Sequence, residues 1–153
     1  MILESIPEIS LCHGVVLYVP FFNEPDLLPL SMLYRSEDSI VTPNDSHIDP
    51  IEWADTCIKF AKGRRMCVLV PGTAFDSSGT RHGRGGGWYD RFLSRIPKGW
   101  LRIGVATPMS FKSGEVLKRQ PWDEQVDYIF IYKPKLTSWD VCEALPKRFC
   151  IDM

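Results

Sequence analysis

The sequence predicts an α/β fold, a mainly parallel sheet flanked by helices. Three observations point there. Met66–Val70 (Met-Cys-Val-Leu-Val) is apolar without interruption, as a central parallel strand covered on both faces requires. Just before it, Ile51, Ala54, Ile58 and Ala61 recur at helical spacing, behind an Asp49-Pro50 start and ahead of Gly63. Further β-rich runs at Val15–Val19, Leu101–Ala106 and Tyr128–Tyr132 are separated by stretches that read as helix or loop.

In chain order, residues 5–13 read as a short helix with Gly14 as its C-terminal glycine. Val15–Val19 is a buried strand stopped by Pro20. Residues 20–29 hold three prolines and read as loop, Leu30–Arg35 as another strand, and the polar stretch 36–50 again as loop. Asp49 as N-cap and Pro50 at the first helical position open a helix over 50–61. Pro71-Gly72 ends the central strand, and Phe75-Asp76-Ser77-Ser78-Gly79 carries turn chemistry. A helix over 87–96 is closed by Pro97. Beyond the 101–106 strand, a short helix is expected over 109–118. After the 128–132 strand, another is expected from Ser138, as N-cap, to Leu145.

The chain has 153 residues, enough for one domain (1–153) with a substantial core. Its apolar share of 44% and charged share of 24% are ordinary for a globular protein and exclude disorder and a coiled coil. A net charge of −1 argues against a nucleic-acid partner, so any affinity for phosphate must be local. No apolar run is long enough for a membrane span, and the N-terminus lacks a secretory pattern, so a cytoplasmic location without membrane attachment is expected. Five cysteines, Cys12, Cys57, Cys67, Cys142 and Cys150, form no C-x-x-C pair and read as reduced thiols. His13, His47 and His82 lack metal-ligand spacing.

Residues 81–92 concentrate the chemistry. Four of the eleven glycines, Gly83, Gly85, Gly86 and Gly87, fall within five positions, with Arg81, Arg84 and Arg91 nearby and a helix-like run from Trp88. Such a cluster is entropically costly in an ordered protein. A loop whose backbone must approach a phosphate compensates, because its N–H groups and those of the following helix point at the anion. A flexible surface loop is the alternative, and the interleaved arginines and aromatic pair favour a site. The run is neither a Walker A loop, for lack of G-x-x-x-x-G-K-[ST], nor a dinucleotide fingerprint, because Trp88 stands where Gly or Ala belongs. In an α/β sheet, ligands sit beyond the carboxyl ends of the strands, where this loop follows Met66–Val70.

The stretch Pro71-Gly72-Thr73-Ala74-Phe75-Asp76-Ser77-Ser78-Gly79-Thr80-Arg81-His82-Gly83-Arg84-Gly85-Gly86-Gly87-Trp88-Tyr89-Asp90-Arg91 resembles the 5-formyltetrahydrofolate cyclo-ligase family, whose run is P-G-x-x-F-D-x-x-G-x-R-x-G-x-G-G-G-Y-Y-D-R. Pro121-Trp122-Asp123-Glu124-Gln125-Val126-Asp127-Tyr128-Ile129 supplies a second match, and the likeness covers roughly 15–132 in order. It implies a Rossmann-like three-layer sandwich of the ribose-isomerase/CoA-transferase kind. It also implies an ATP- and Mg²⁺-dependent reaction in which 5-formyltetrahydrofolate is phosphorylated on its formyl oxygen. N10 then attacks, giving 5,10-methenyltetrahydrofolate, ADP and phosphate. On this resemblance Arg81, His82, Gly83, Arg84, Gly85, Gly86, Gly87, Trp88 and Tyr89 bind the nucleotide and substrate. Arg84 and Tyr89 are the catalytic candidates, and Asp90 and Asp123 are the Mg²⁺ carboxylates. Arg91 is read as a solvated helix charge. Asp90 as a helix-dipole partner, Asp123 as a turn residue and the aromatics as core remain the plain alternatives.

The sequence departs from the family in places. His82 and Trp88 replace a hydrophobic residue and a Tyr. The family's basic N-terminal helix, and a strand ending near a folate-binding Glu, have no counterpart beyond Glu4, and no Lys precedes Lys59. Either a longer chain or a second copy in a homodimer supplies them, or the chain binds nucleotide or folate without turnover. A phosphosugar- or CoA-handling protein of the same fold is the remaining alternative.

Overall fold

The computed structural model describes residues 6–20, 24–27, 34–45, 47–136 and 138–148. Six strands form the main sheet: β1 (Gly14–Tyr18), β2 (Ser39–Thr42), β3 (Met66–Val70), β6 (Leu101–Ala106), β7 (Tyr128–Lys133) and β8 (Ser138–Glu143). Their order is β2-β1-β3-β6-β7-β8, parallel except for the antiparallel β7–β8 pair. A second, two-stranded ribbon pairs β4 (Ala74–Phe75) with β5 (Arg81–His82). The two α-helices among the described residues are α1 (Pro50–Ala61) and α2 (Trp88–Arg95), which pack on each other over one face of the sheet.

Period-two alternation divides the core. Val68, Val70, Ala106, Ile129 and Ile131 face α1 and α2, which contribute Ala54, Cys57, Ala61, Phe92 and Leu93. Val15, Cys67, Leu69, Ile103, Val105 and Phe130 face the other way, under a 3-10 turn (Pro7–Leu11) that brings Ile6 and Ile9 down. Both faces of β3 and β6 are therefore buried, which is why those strands are apolar throughout. Asp49 caps α1 through its carboxylate, which accepts from the N–H of Ile51 at 2.8 Å and of Glu52 at 3.3 Å.

Several expectations are corrected. Where a helix is expected over 5–13, Pro7–Leu11 form a 3-10 turn, and Gly14 opens β1. A Cβ there would lie 2.4 Å from the Asp38 carbonyl oxygen, so Gly14 permits a close approach rather than a helix cap. The expected loop 36–50 contains β2. Of the expected strand 30–35, residues 30–33 lie outside the described residues and 34–35 are not in a strand. No helix forms over 109–118, because residues 75 and 76 claim its N–H groups: Lys112 N–H donates to the Phe75 carbonyl at 2.7 Å and Leu117 N–H to the Asp76 carboxylate at 2.8 Å. The expected helix from Ser138 is β8. Trp139 and Val141 alternate onto one core, Cys142 onto the other, and six residue pairs with β7 outweigh the weak N-cap signal. No helix of the described residues is long and apolar enough to cross a membrane.

Candidate functional site

The chain passes from β1 outward to β2 and then returns to the other side of β1 as β3, which makes a topological switch point. A cleft of about 870 Å³ opens there, beyond the carboxyl ends of these strands. Its walls include Tyr18, Val19 and Glu24 after β1, Thr42–Asp45 after β2, Pro71–Thr73 after β3, residues 81–91, and Trp122 with Asp123.

The motif after β3 has a frame and an opening. In the frame, buried Asp76 accepts from Ser78 N–H (2.9 Å), Ser78 Oγ (2.6 Å), Thr80 N–H (3.1 Å) and Leu117 N–H (2.8 Å). Burial raises its carboxyl pKa, but these donors outweigh it and the net shift is downward. Arg119 adds bonds to Thr80 Oγ1 and to Ser78, and Gln125 Nε2 reaches the Ser78 carbonyl at 2.9 Å. β5 then carries Arg81 back to the cleft.

In the opening, Gly85, Gly86 and Gly87 hold φ of +94°, +81° and +66°, a left-handed run that side chains disfavour. A Cβ on any of the three would meet nothing within 4 Å, so the space above the loop is empty. Gly87 is the N-cap of α2 and offers no side-chain acceptor, so the first N–H groups of the helix, which starts on the cleft wall, have no side-chain capping bond. Gly83 serves differently: a Cβ there would stand 2.7 Å from Arg81 Nη2, so its absence admits the guanidinium.

Arg81 is buried, with Nε donating to the Pro71 carbonyl and its guanidinium carbon 5.0 Å from the centroid of the Tyr89 ring. Burial lowers its pKa, while Asp90, Tyr89, Glu24 and Asp123 pull it upward. Burial also raises the Tyr89 pKa well above the usual phenol range, so Tyr89 is a hydrogen-bond donor and not a base at neutral pH. Asp90, half-buried in the first turn of α2, accepts from Glu124 N–H at 3.0 Å through Oδ1. Burial lifts its pKa against that bond and Arg81, with Asp123 and Glu124 adding to the rise. Asp123 is held by the Gln120 N–H at 2.8 Å.

The structure brings every sequence-expected site residue to the cleft wall, from Arg81 through Asp90 together with Asp123. Not all point the same way chemically. His82 Nε2 lies 2.7 Å from the Lys118 carbonyl, and Trp88 Nε1 donates to the Ile48 carbonyl at 2.8 Å while its ring stacks on Phe92. Both polar groups are thus engaged in tying the cleft wall to neighbouring loops. Arg84 is exposed, and Arg91, read as a solvated charge, also lines the cleft.

The donor set suits a magnesium–nucleotide. No group of three or more His, Cys, Asp or Glu side chains forms a metal cluster among the described residues. Mg²⁺ needs only one or two carboxylates when waters and phosphate oxygens complete its shell, and Asp90 with Asp123 are able to provide them. A half-buried carboxylate with a raised pKa and a second carboxylate acting on it is a place where a cation relieves repulsion.

Residues 4–132 match the model of the 5-formyltetrahydrofolate cyclo-ligase family. The chain belongs to that family. A cyclo-ligase of Mycoplasma genitalium is 38% identical over 124 residues, covering 76% of this chain and 70% of the relative. One from Mycoplasma pneumoniae is 40% identical over 63 residues, covering 41% of this chain, and that match spans only 37% of the relative's length. Among solved structures, a 5,10-methenyltetrahydrofolate synthetase of Aquifex aeolicus is 24% identical with a TM-score of 0.60, over 98% of this chain and 81% of that one. That of Mycoplasma pneumoniae is 21% identical with a TM-score of 0.55, over 85% and 78%. These likenesses confirm the fold.

Within this cyclo-ligase fold, sequence reasoning missed Tyr18, Glu24, Thr42 and Thr73. Glu24 lies six positions past the end of β1 and on the cleft wall, while Glu4, the one residue set against the family's folate-binding glutamate, lies outside the described residues. The signal was available: Tyr18 and Glu24 follow a strand whose carboxyl end faces the glycine loop. The sequence over β2 reads as loop, which hides Thr42.

Proposed function

We propose that the chain converts 5-formyltetrahydrofolate to 5,10-methenyltetrahydrofolate with hydrolysis of ATP to ADP and phosphate. The observation that carries this is the pairing, at one switch-point cleft, of an open left-handed glycine run with an uncapped helix start and two carboxylates. Bound there, magnesium–ATP would supply the phosphoryl group that turns the formyl oxygen into a leaving group.

The chain's residues then have distinct tasks. Main-chain N–H groups of residues 83–87 and the start of α2 bind phosphate oxygens in a site already shaped for them. Asp90 and Asp123 hold the cation. Arg81, fixed by the Pro71 carbonyl and by Tyr89, places a positive charge that need not reorganise. Tyr89 keeps its proton and donates a hydrogen bond. Arg84, exposed on the loop, closes over the transferred group. His82 and Trp88 orient the loop rather than touch the reacting atoms. The reaction needs two ligands held together, so positioning supplies much of the acceleration.

The test is direct: incubate the protein with ATP, Mg²⁺ and 5-formyltetrahydrofolate and follow the methenyl product by absorbance. Product that requires all three supports the reading. ATP binding without product moves the chain to a nucleotide-binding relative lacking turnover.

A further inference from the structure

Tyr18 ends β1, in register with Thr42 on β2, and lines the cleft. It is only 4% exposed, and its hydroxyl is buried with no hydrogen-bond partner among the described residues. A buried phenol normally finds one, so an orphan calls for a physical reason. The nearest polar neighbour on β2 is already engaged: Thr42 Oγ1 accepts from Trp53 Nε1 at 3.1 Å and also interacts with Tyr89. Burial, then Glu24 and Tyr89, push the Tyr18 pKa far above the usual phenol range, so the hydroxyl keeps its proton at neutral pH and has it to donate.

We propose that the Tyr18 hydroxyl positions the ligand, donating to an acceptor nitrogen or carbonyl of an amino-substituted nitrogen heterocycle seated in the cleft beside the end of β1. The open glycine loop lies along residues 83–87, which leaves the part of the cleft beside Tyr18, with Tyr89 and Glu24 close enough to act on its hydroxyl, for a planar polar ring. Both the adenine of ATP and the pterin of the folate have this chemistry. The inference rests on the nucleotide-and-folate reading and goes beyond it by assigning a residue outside the glycine motif.

Tyr18→Phe removes the hydroxyl and keeps the ring. Calorimetric titration of magnesium–ATP and of 5-formyltetrahydrofolate, each alone, into wild type and variant is paired with thermal unfolding of both. One ligand is expected to bind the variant about fivefold to tenfold more weakly and the other within about twofold of wild type, with the melting temperature unchanged or higher. The ligand that weakens identifies whose ring Tyr18 meets. Equal affinity of wild type and variant for both ligands overturns the assignment while leaving the functional reading intact. Weakening of both ligands with a lower melting temperature also overturns it, because the residue is then structural. If wild type binds neither ligand, the functional reading fails and the assignment falls with it.

Discussion

Residues 74–80 and 83–87 sit within one motif and are built in opposite ways. In the first, almost every polar group is answered from within the protein: Asp76 alone accepts four bonds, and Arg119 and Gln125 tie the turn to the loop before β7. In the second, the backbone turns left-handed three times with empty space above it and no side-chain cap on the helix behind. Glycine appears in both, for different reasons. Gly79 at φ +82° is boxed in, since a Cβ would stand 2.4 Å from the Val126 carbonyl oxygen. Gly86 at φ +81° has nothing within 4 Å. The same dihedral angle serves packing in one place and a vacant cradle in the other, so a motif can contain both the frame and the site it frames.

The contrast breaks first at Asp76. Asp76→Ala strands several buried donors and is expected to lower stability by about 3 kcal/mol in denaturant unfolding. Gly79→Ala comes next, at about 2–4 kcal/mol, because left-handed strain adds to overpacking. Neither is expected to change nucleotide affinity under conditions where the protein remains folded. Gly86→Ala should cost only about 1 kcal/mol of stability, yet weaken magnesium–ATP binding about tenfold, as read by titration. Equal stability losses in the two glycine variants would erase the distinction. Asp90→Asn should leave the melting temperature unchanged or raised and weaken nucleotide binding only when Mg²⁺ is present.

Acid sharpens the same comparison. Its donors hold the folded pKa of Asp76 below that of an ordinary aspartate, 3.8, so its contribution to stability is complete above that pH and is lost as pH falls through the folded value. Asp90 has the opposite sign: its folded pKa lies above 3.8, so the stability linked to its protonation is full below 3.8 and is lost as pH rises through the raised value. Metal binding needs the carboxylate, so magnesium–ATP affinity should rise through that same window in wild type and not in Asp90→Asn.

Much of this was legible in the residues. The central strand, the capped helix α1 and the glycine run could be read because each depends on local chemistry: uninterrupted apolar residues, an Asp-Pro start, a cluster of permissive backbone. β8 and the 109–118 loop could not, because partners distant in sequence decide them. Ser138–Glu143 becomes a strand by pairing with β7, and Leu117 is held by an aspartate 41 positions earlier. Asp76 reads as turn chemistry, which is correct locally and omits its long-range bond to Leu117. Tyr18, Glu24 and Thr42 escaped notice because their significance comes from strand order, which brings the ends of β1, β2 and β3 to one rim.

The account's central claim is that the main-chain N–H groups of residues 83–90 are the phosphate grip. Amide hydrogen exchange with and without magnesium–ATP tests it most directly. Protection should appear across 83–90 on adding the nucleotide, while residues 74–80 exchange as slowly as before. Unchanged exchange across 83–90, with bound nucleotide protecting some other segment, would contradict it.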